Sequence, residues 1–340
     1  EARKWFLTDR KMGFFRAFWR AMDRCFYRRL LRKKAYKDGV YGLTVAVFSG
    51  IYQLVSWVKC WEMRGGVPAR KSQAVSGKNR TERGVTSGRK KLSAVVITKN
   101  AAKKLRPCLE SVKWADEIII VDGRSDDGTL EIAGEYSDKI ILSDFEGFGN
   151  ERNKGADAAT GDWILQLDAD EVVTGGFRAR MEKILSGDDS GCVSFKFRRR
   201  NVFLGKAMRF GGWFHYSAHL FRKGMARYEG DIHEKLIVNG KQGRLEEEIE
   251  HYPFDSMSEF IERQNRYTTL QAGEMFKKDG PADDKTILYN LKVKPRKLFM
   301  KMYVKKMGFM EGMRGLVFSV MFAWVHYLKW AKYWELSREK

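Results

Sequence analysis

Three carboxylates packed into four positions, Asp168, Asp170 and Glu171, close the apolar run in WILQLDADEVV. Trp163, Ile164, Leu165 and Leu167 read as a buried strand, so the acids stand where that strand leaves the core. Positive charge must sit beside them. Hard oxygen ligands at this spacing suit Mg²⁺ or Mn²⁺ bridging to phosphate oxygens. An Asp-x-Asp pair alone is as readily a solvated turn or a helix cap, and its place directly after an apolar run is what favours the ligand reading. Thr98, Lys99 and Asn100 follow the run LSAVVIT, and Asp122 ends EIIIVD. A carboxylate ending a buried strand can accept from a uracil or a ribose. Arg152 and Asn153 either touch the nucleotide or cap the helix that follows them.

The elements that must position these groups alternate. Residues 92–98, 117–122, 139–142 and 162–167 read as strands, and KKLRPCLESVKWA, GTLEIAGEY and GNERNKGADAA between them as helices. Continuous apolar strands with helical crossovers predict an α/β fold whose mostly parallel sheet is covered on both faces. In such sheets ligands bind beyond the carboxyl ends of the strands, which is where the polar residues collect. The sequence has no Gly-x-x-x-x-Gly-Lys-Ser/Thr loop, and no Gly-x-Gly-x-x-Gly follows the first strand, which disfavours a P-loop NTPase or a dinucleotide enzyme. A metal that neutralises a leaving diphosphate points instead to group transfer from a nucleotide carrier.

Four blocks in order carry a family likeness: SAVVITKNAAKKLRPCLESVKWADEIIIVDGRSDDGTLEIA, NERNKGADAATGDWILQLDADE, RYEGDIHEKL and HY. Together they resemble a family 2 glycosyltransferase of the GT-A fold, closest to the glucosyltransferases of lipopolysaccharide inner-core assembly, over roughly residues 91–336. The resemblance implies a UDP-sugar donor, a divalent cation (Mg or Mn) and inversion at the anomeric carbon. It makes Asp168 and Asp170 the metal motif, with His251 completing the coordination and Glu234 the catalytic base. Asp231 and Glu229 are the alternative bases. Thr98, Asn100, Asp122, Arg152 and Asp168 would line the donor site. Gly123 and Arg124 stand where many members carry a second acid or a serine followed by glycine, so pyrimidine recognition would lean on Asp122 and backbone groups. One base and one cation suffice for a single in-line displacement.

The net charge of +21 is uneven. Residues 1–91 hold 23 Lys and Arg against 6 Asp and Glu, whereas residues 92–340 hold 41 against 37. A basic leading segment favours an anionic surface, and the transferase motifs favour membrane over nucleic acid. The first twenty residues lack the uninterrupted apolar core of a signal peptide. Cys25, Cys60, Cys108 and Cys192 are scattered, which predicts neither a disulfide framework nor a zinc site, and a reducing compartment.

Residues 38–62 repeat without a gap as residues 311–335, sharing Gly39/Gly312, Gly42/Gly315, Leu43/Leu316, Val47/Val320, Trp57/Trp330, Lys59/Lys332, Trp61/Trp334 and Glu62/Glu335. In the second copy Leu316, Val320, Trp324, Tyr327, Trp330 and Trp334 form one aromatic stripe, which predicts in-plane insertion into lipid, with core packing as the alternative. Gly39–Val58 is long enough to cross a bilayer, though diluted by Gly, Ser, Thr and Gln. Residues 1–64 then read as a basic aromatic helical segment, a possible truncated upstream copy, residues 65–91 as a disordered linker, 92–284 as the GT-A catalytic domain and 285–340 as a basic amphipathic membrane-associating tail. Within residues 256–278, Phe260, Ile261, Tyr267, Leu270 and Met275 would pack on the sheet. Gly211 and Gly212 would allow close approach to the sugar or form a plain turn.

The reading expected from these features is an inverting, metal-dependent hexosyltransferase, peripheral at the cytoplasmic face of a bacterial inner membrane, acting on a lipid-linked core saccharide. A polyprenyl-phosphate glycosyltransferase would share the donor site, but no pair of long apolar spans follows the catalytic region. A basic membrane-binding protein with a degenerate transferase body is the non-enzymatic alternative.

Overall fold

The computed structural model describes Asp23 and residues 39–63, 88–230 and 235–338, so Glu234, Asp231, Cys25 and most of the linker 65–91 lie outside the described residues. The chain divides into two compact units, residues 1–71, 203–212 and 254–340 in one and residues 72–202 and 213–253 in the other. The first unit begins with helix α1 (Gly39–Trp61).

The second unit is built on β1 (Leu92–Thr98), buried along its whole length because its alternate side chains enter two cores. Leu92, Ala94 and Val96 join Leu105, Leu109, Ile120, Trp163, Leu165 and Phe177. Val95 and Ile97 join Ile119, Val121, Ile164, Phe221 and Tyr228 on the other face. That division explains a continuous apolar run in place of an alternating one. Helix α2 (Ala102–Val112) leads to β2 (Glu117–Asp122), α3 (Thr129–Gly134) to β3 (Ile140–Leu142), and α4 (Phe148–Ala158) to β4 (Trp163–Asp168). Gly155 lets α4 lie close on the sheet, since a Cβ there would stand 2.2 Å from Val95 Cγ1.

β5 (Glu171–Val173) and α5 (Gly175–Leu185) precede β6 (Ser194–Phe203), β7 (Lys206–Ala207) and β8 (Phe214–Arg222). β9 (Ala226–Glu229) and β10 (Lys235–Val238) form a separate antiparallel ribbon, and β11 (Gln242–His251) returns to the main sheet. The order is β3-β2-β1-β4-β8-β6-β11-β5. Four of the seven pairings along it are parallel, with β4/β8, β6/β8 and β5/β11 antiparallel. The expected mostly parallel α/β fold is therefore present, with its helices on both faces.

Back in the first unit, α6 (Met257–Asp279) starts at Ser256, whose Oγ accepts from Glu259 N at 3.1 Å, the capping signature that Ser-x-x-Glu encodes. Its buried residues are Met257, Phe260, Thr268 and Ala272, while Tyr267 and Leu270 are exposed. Of the apolar residues expected to pack on the sheet, Phe260 is buried, Ile261 and Met275 are half-buried, and Tyr267 and Leu270 are exposed. Helix α7 (Asp284–Leu288), a π turn at Tyr289–Val293, α8 (Lys294–Met300), a second π turn at Lys301–Lys305 and a 3₁₀ turn at Gly308–Glu311 follow. Helix α9 (Met313–Leu336) ends the described chain.

Half of the α9 stripe is core, and Leu316, Val320 and Trp330 are partly buried. Trp324, Tyr327 and Trp334 are buried, and Tyr327 and Trp334 pack with Ala272, Ile287 and Leu291 and against Val47 and Phe48. Among the described residues no helix is long and apolar enough to cross a membrane. The two repeat copies lie antiparallel: Tyr327 Oη donates to Thr44 Oγ1 at 3.0 Å, Phe48 meets Tyr327 edge-on, and Arg314 stands over Trp61. Gly211 and Gly212 take φ values of +86° and +74° in a turn whose Gly211 N–H donates to Lys306 O.

Candidate active site

Register brings the polar strand ends together. Thr98 pairs with Asp122, Ile97 with Asp168, and His251 with both Glu171 and Asn201. The cation demanded by the carboxylates of WILQLDADE is supplied by the chain itself. Arg152 Nη2, from α4, donates to Asp168 Oδ1 at 2.6 Å, and Arg199 Nη2, from β6, donates to Oδ2 at 2.8 Å. Arg199 Nε also lies 2.6 Å from Glu171 Oε1, while Glu171 Oε2 accepts from the Asp168 N–H at 2.9 Å.

Burial by itself would raise the Asp168 carboxyl, but Arg152 and Arg199 outweigh it and hold Asp168 well below the usual carboxylate range. Glu171 is opposite in sense. Burial pushes it up to about 8, against the pull of Arg199 and with the push of Asp168 and Asp170.

Asp170 has no arginine on it. Its Oδ1 is buried without a hydrogen bond and lies 3.3 Å from His251 Nε2. Asn201 Nδ2 donates to Trp213 O at 2.7 Å, which turns Asn201 Oδ1 toward His251 Nδ1 at 2.5 Å. An amide oxygen can only accept, so Nδ1 carries a proton, and in the neutral ring Nε2 presents a lone pair. Burial lowers the His251 pKa, against the raising effect of its hydrogen bond with Asp170 and of the Asp170 charge. With the ring neutral, two acceptors face each other, an arrangement that a cation between them would satisfy. Among the described residues no group of three or more His, Cys, Asp or Glu side chains is placed to hold a metal.

Around the nucleotide-side candidates the loops are tied internally. Asp122 is fully buried, and its oxygens accept from Ser125 N at 2.7 Å and Ser125 Oγ at 2.6 Å. Asn100, at φ +49°, accepts from Asp126 N through Oδ1 and donates its own N–H to Ser125 Oγ. Thr98 Oγ1 is buried without a hydrogen bond. Asn153 does not cap α4. It exchanges two hydrogen bonds of 3.0 Å with the backbone of Tyr228 and so ties α4 to β9.

Of the expected site residues, Asp168, Asp170, Arg152 and His251 meet in one cluster, Thr98 and Asp122 pair on neighbouring strands beside it, and Asn100 shares the Ser125 loop. Arg199, Asn201 and Ser125 were not singled out by the sequence reading. A signal for the first two existed, since Phe197, Arg199 and Asn201 alternate in FKFRRRN and so share one face of a strand.

Residues 93–235 match the family model described as Glycosyl transferase family 2. An uncharacterized glycosyltransferase of Rickettsia felis is 27% identical over 258 residues, covering 71% of this chain and 89% of the relative. A lipopolysaccharide core biosynthesis glycosyltransferase, LpsC, of Rhizobium meliloti is 25% identical over 255 residues, covering 68% and 90%. Among solved structures, Staphylococcus aureus TarS 1–349 in complex with UDP-GlcNAc aligns over 73% of this chain and 91% of its own, with a TM-score of 0.40 and 13% identity. Residues 93–235, which gather Asp168, Asp170 and Arg152 at the strand ends, thus match family 2 glycosyl transferases, and the chain that carries them is a glycosyltransferase.

Proposed function

We propose that this glycosyltransferase moves a hexose, glucose by the family likeness, from a UDP-sugar to a lipopolysaccharide-core or related envelope saccharide, with inversion and with a divalent cation. The observation that carries the proposal is the facing pair Asp170 Oδ1 and His251 Nε2, 3.3 Å apart, with His251 Nδ1 committed to Asn201. Asp170 and His251 would hold the cation, with the carboxylate as its hard oxygen ligand. The orientation of His251 by an amide is the support such a ligand needs.

When bound there, Mg²⁺ or Mn²⁺ supplies charge neutralisation for the departing diphosphate. Arg152 and Arg199 add fixed positive charge next to it, and Asp168 acts by holding both guanidiniums in place. Asp122 orders the loop through Ser125, leaving backbone groups and Thr98 to meet the nucleotide. Glu234 takes the proton of the acceptor hydroxyl as that oxygen bonds to the anomeric carbon and the bond from that carbon to the diphosphate breaks. The likeness to LpsC supports an envelope saccharide as acceptor. An acceptor linked to lipid, and residence on the cytoplasmic face of the membrane, are supported by the basic excess of residues 1–91.

A panel of UDP-sugars incubated with Mn²⁺ or Mg²⁺ and no acceptor tests this reading. One sugar should release UDP slowly in a metal-dependent manner, and Asp170→Ala should abolish the release. Release that survives chelation or the substitution would remove Asp170 and the cation from the reaction.

A further inference from the structure

The tryptophan stripe that the sequence offers to lipid is occupied by core packing, yet the first unit carries another amphipathic surface. Residues 285–310 hold eight Lys or Arg and no Asp or Glu. Met300, Val304, Met307, Phe309 and Met310 are all exposed, Met300 and Met310 by more than half of their area. Lys297, Lys301, Lys305 and Lys306 are exposed in the same segment.

This exposure is not that of a loose loop. Met302 is buried, Gly308 has no room for a Cβ because Met302 O would stand 2.7 Å from it, and Gly315 on α9 approaches Gly308 O so closely that a Cβ would overlap it at 1.8 Å. Lys306 O accepts from Gly211 N, and Phe299 stacks on Tyr303 at 5.3 Å. The segment is therefore pinned with Met300, Met307, Met310 and Phe309 facing water. A contiguous exposed apolar set rimmed by lysines marks an interaction surface.

We infer that residues 289–310 are the face that docks on an anionic lipid bilayer, with Met300, Val304, Met307, Phe309 and Met310 entering the headgroup boundary and the surrounding lysines meeting lipid phosphates. Both halves of that chemistry are needed, apolar area to insert and positive charge to attract. A nucleic acid would use the lysines and leave the exposed methionines in water, and an apolar protein partner would leave the lysines without counter-charge. The inference rests on the proposed membrane-linked acceptor and names the surface that meets the membrane.

The test is co-sedimentation of the full chain with phosphatidylcholine vesicles, with and without phosphatidylglycerol, alongside the UDP-release assay. The chain should pellet with the anionic vesicles and stay free with the neutral ones. Each surface lysine near an anionic membrane contributes about 1 kcal/mol, so Lys301→Gln/Lys305→Gln should weaken binding about thirty-fold. Met300→Ser/Phe309→Ser should release whatever binding persists at high salt. Both variants should keep the wild-type circular dichroism and UDP release. Equal pelleting with both vesicles, or variants that bind like the wild type, would overturn the inference. UDP release without vesicle binding would also sink the surface while leaving the donor site standing. Selective vesicle binding without UDP release would keep the surface and sink the proposed reaction.

Discussion

Arg199 shows how a single side chain decides what an acidic cluster can do. Its guanidinium reaches both Asp168 and Glu171, so two buried carboxylates share one cation and Arg152 completes the balance on Asp168. Removing one member of a buried ion pair leaves its partner uncompensated, at a cost of about 3–5 kcal/mol. Arg199→Met should lose stability on that scale in urea denaturation, and Arg199→Lys should recover only part of it, since an ammonium cannot bridge both acids in the same way. Full stability of the methionine variant would mean that the network is neutralised by protonation. The sequence disclosed the acids because they end an apolar run. It hid the cation because three arginines stand side by side in FKFRRRN, and only the pleat selects the middle one. Asp122 was legible as a buried strand end, while its partner Ser125 was hidden in a loop whose conformation no periodicity reports.

At the level of elements, legibility followed burial. β1 and β2 occupy the expected residues 92–98 and 117–122 because both faces of these strands are apolar. β6 and β11 went unread, since FKFRRRN and GRLEEEIEH place charges at inward positions and break the alternation that marks a half-buried strand. The faces of α6 and α9 needed their neighbours to be known. Within α9, burial holds His326 down to about 4, with Lys329 and Lys294 adding to the shift. Between about pH 6.5 and pH 4 the unfolded chain therefore binds the extra proton, and stability is lost as pH falls through that window. Discounted for partial exposure, the effect is about 1 kcal/mol. Thermal melts should show the wild type losing stability faster than His326→Gln from pH 6.5 to 4, and parallel curves would free His326 from that role.

For the whole molecule, the described part of the leading segment is built into the first unit. Within residues 39–62, Ala46, Leu54, Trp57, Val58 and Cys60 are buried, and Glu62 accepts the Met257 N–H that opens α6. Burying a large apolar side chain contributes about 1.5–3 kcal/mol. Deleting residues 1–64 should lower the calorimetric melting temperature by several degrees, whereas an unchanged melt would make α1 a passenger. A deeper consequence lies in the antiparallel seam between α1 and α9. The helices are relatives, so the seam joins two copies of one motif side by side in opposite directions. The corresponding small residues Gly50 and Ala323 are both buried and lie between the Thr44–Tyr327 and Trp61–Arg314 contacts. Covalent linkage gives α1 an effective concentration of about millimolar at α9, which a second chain must exceed. The duplicated helix thus covers, within one chain, a face of α9 that would otherwise meet water.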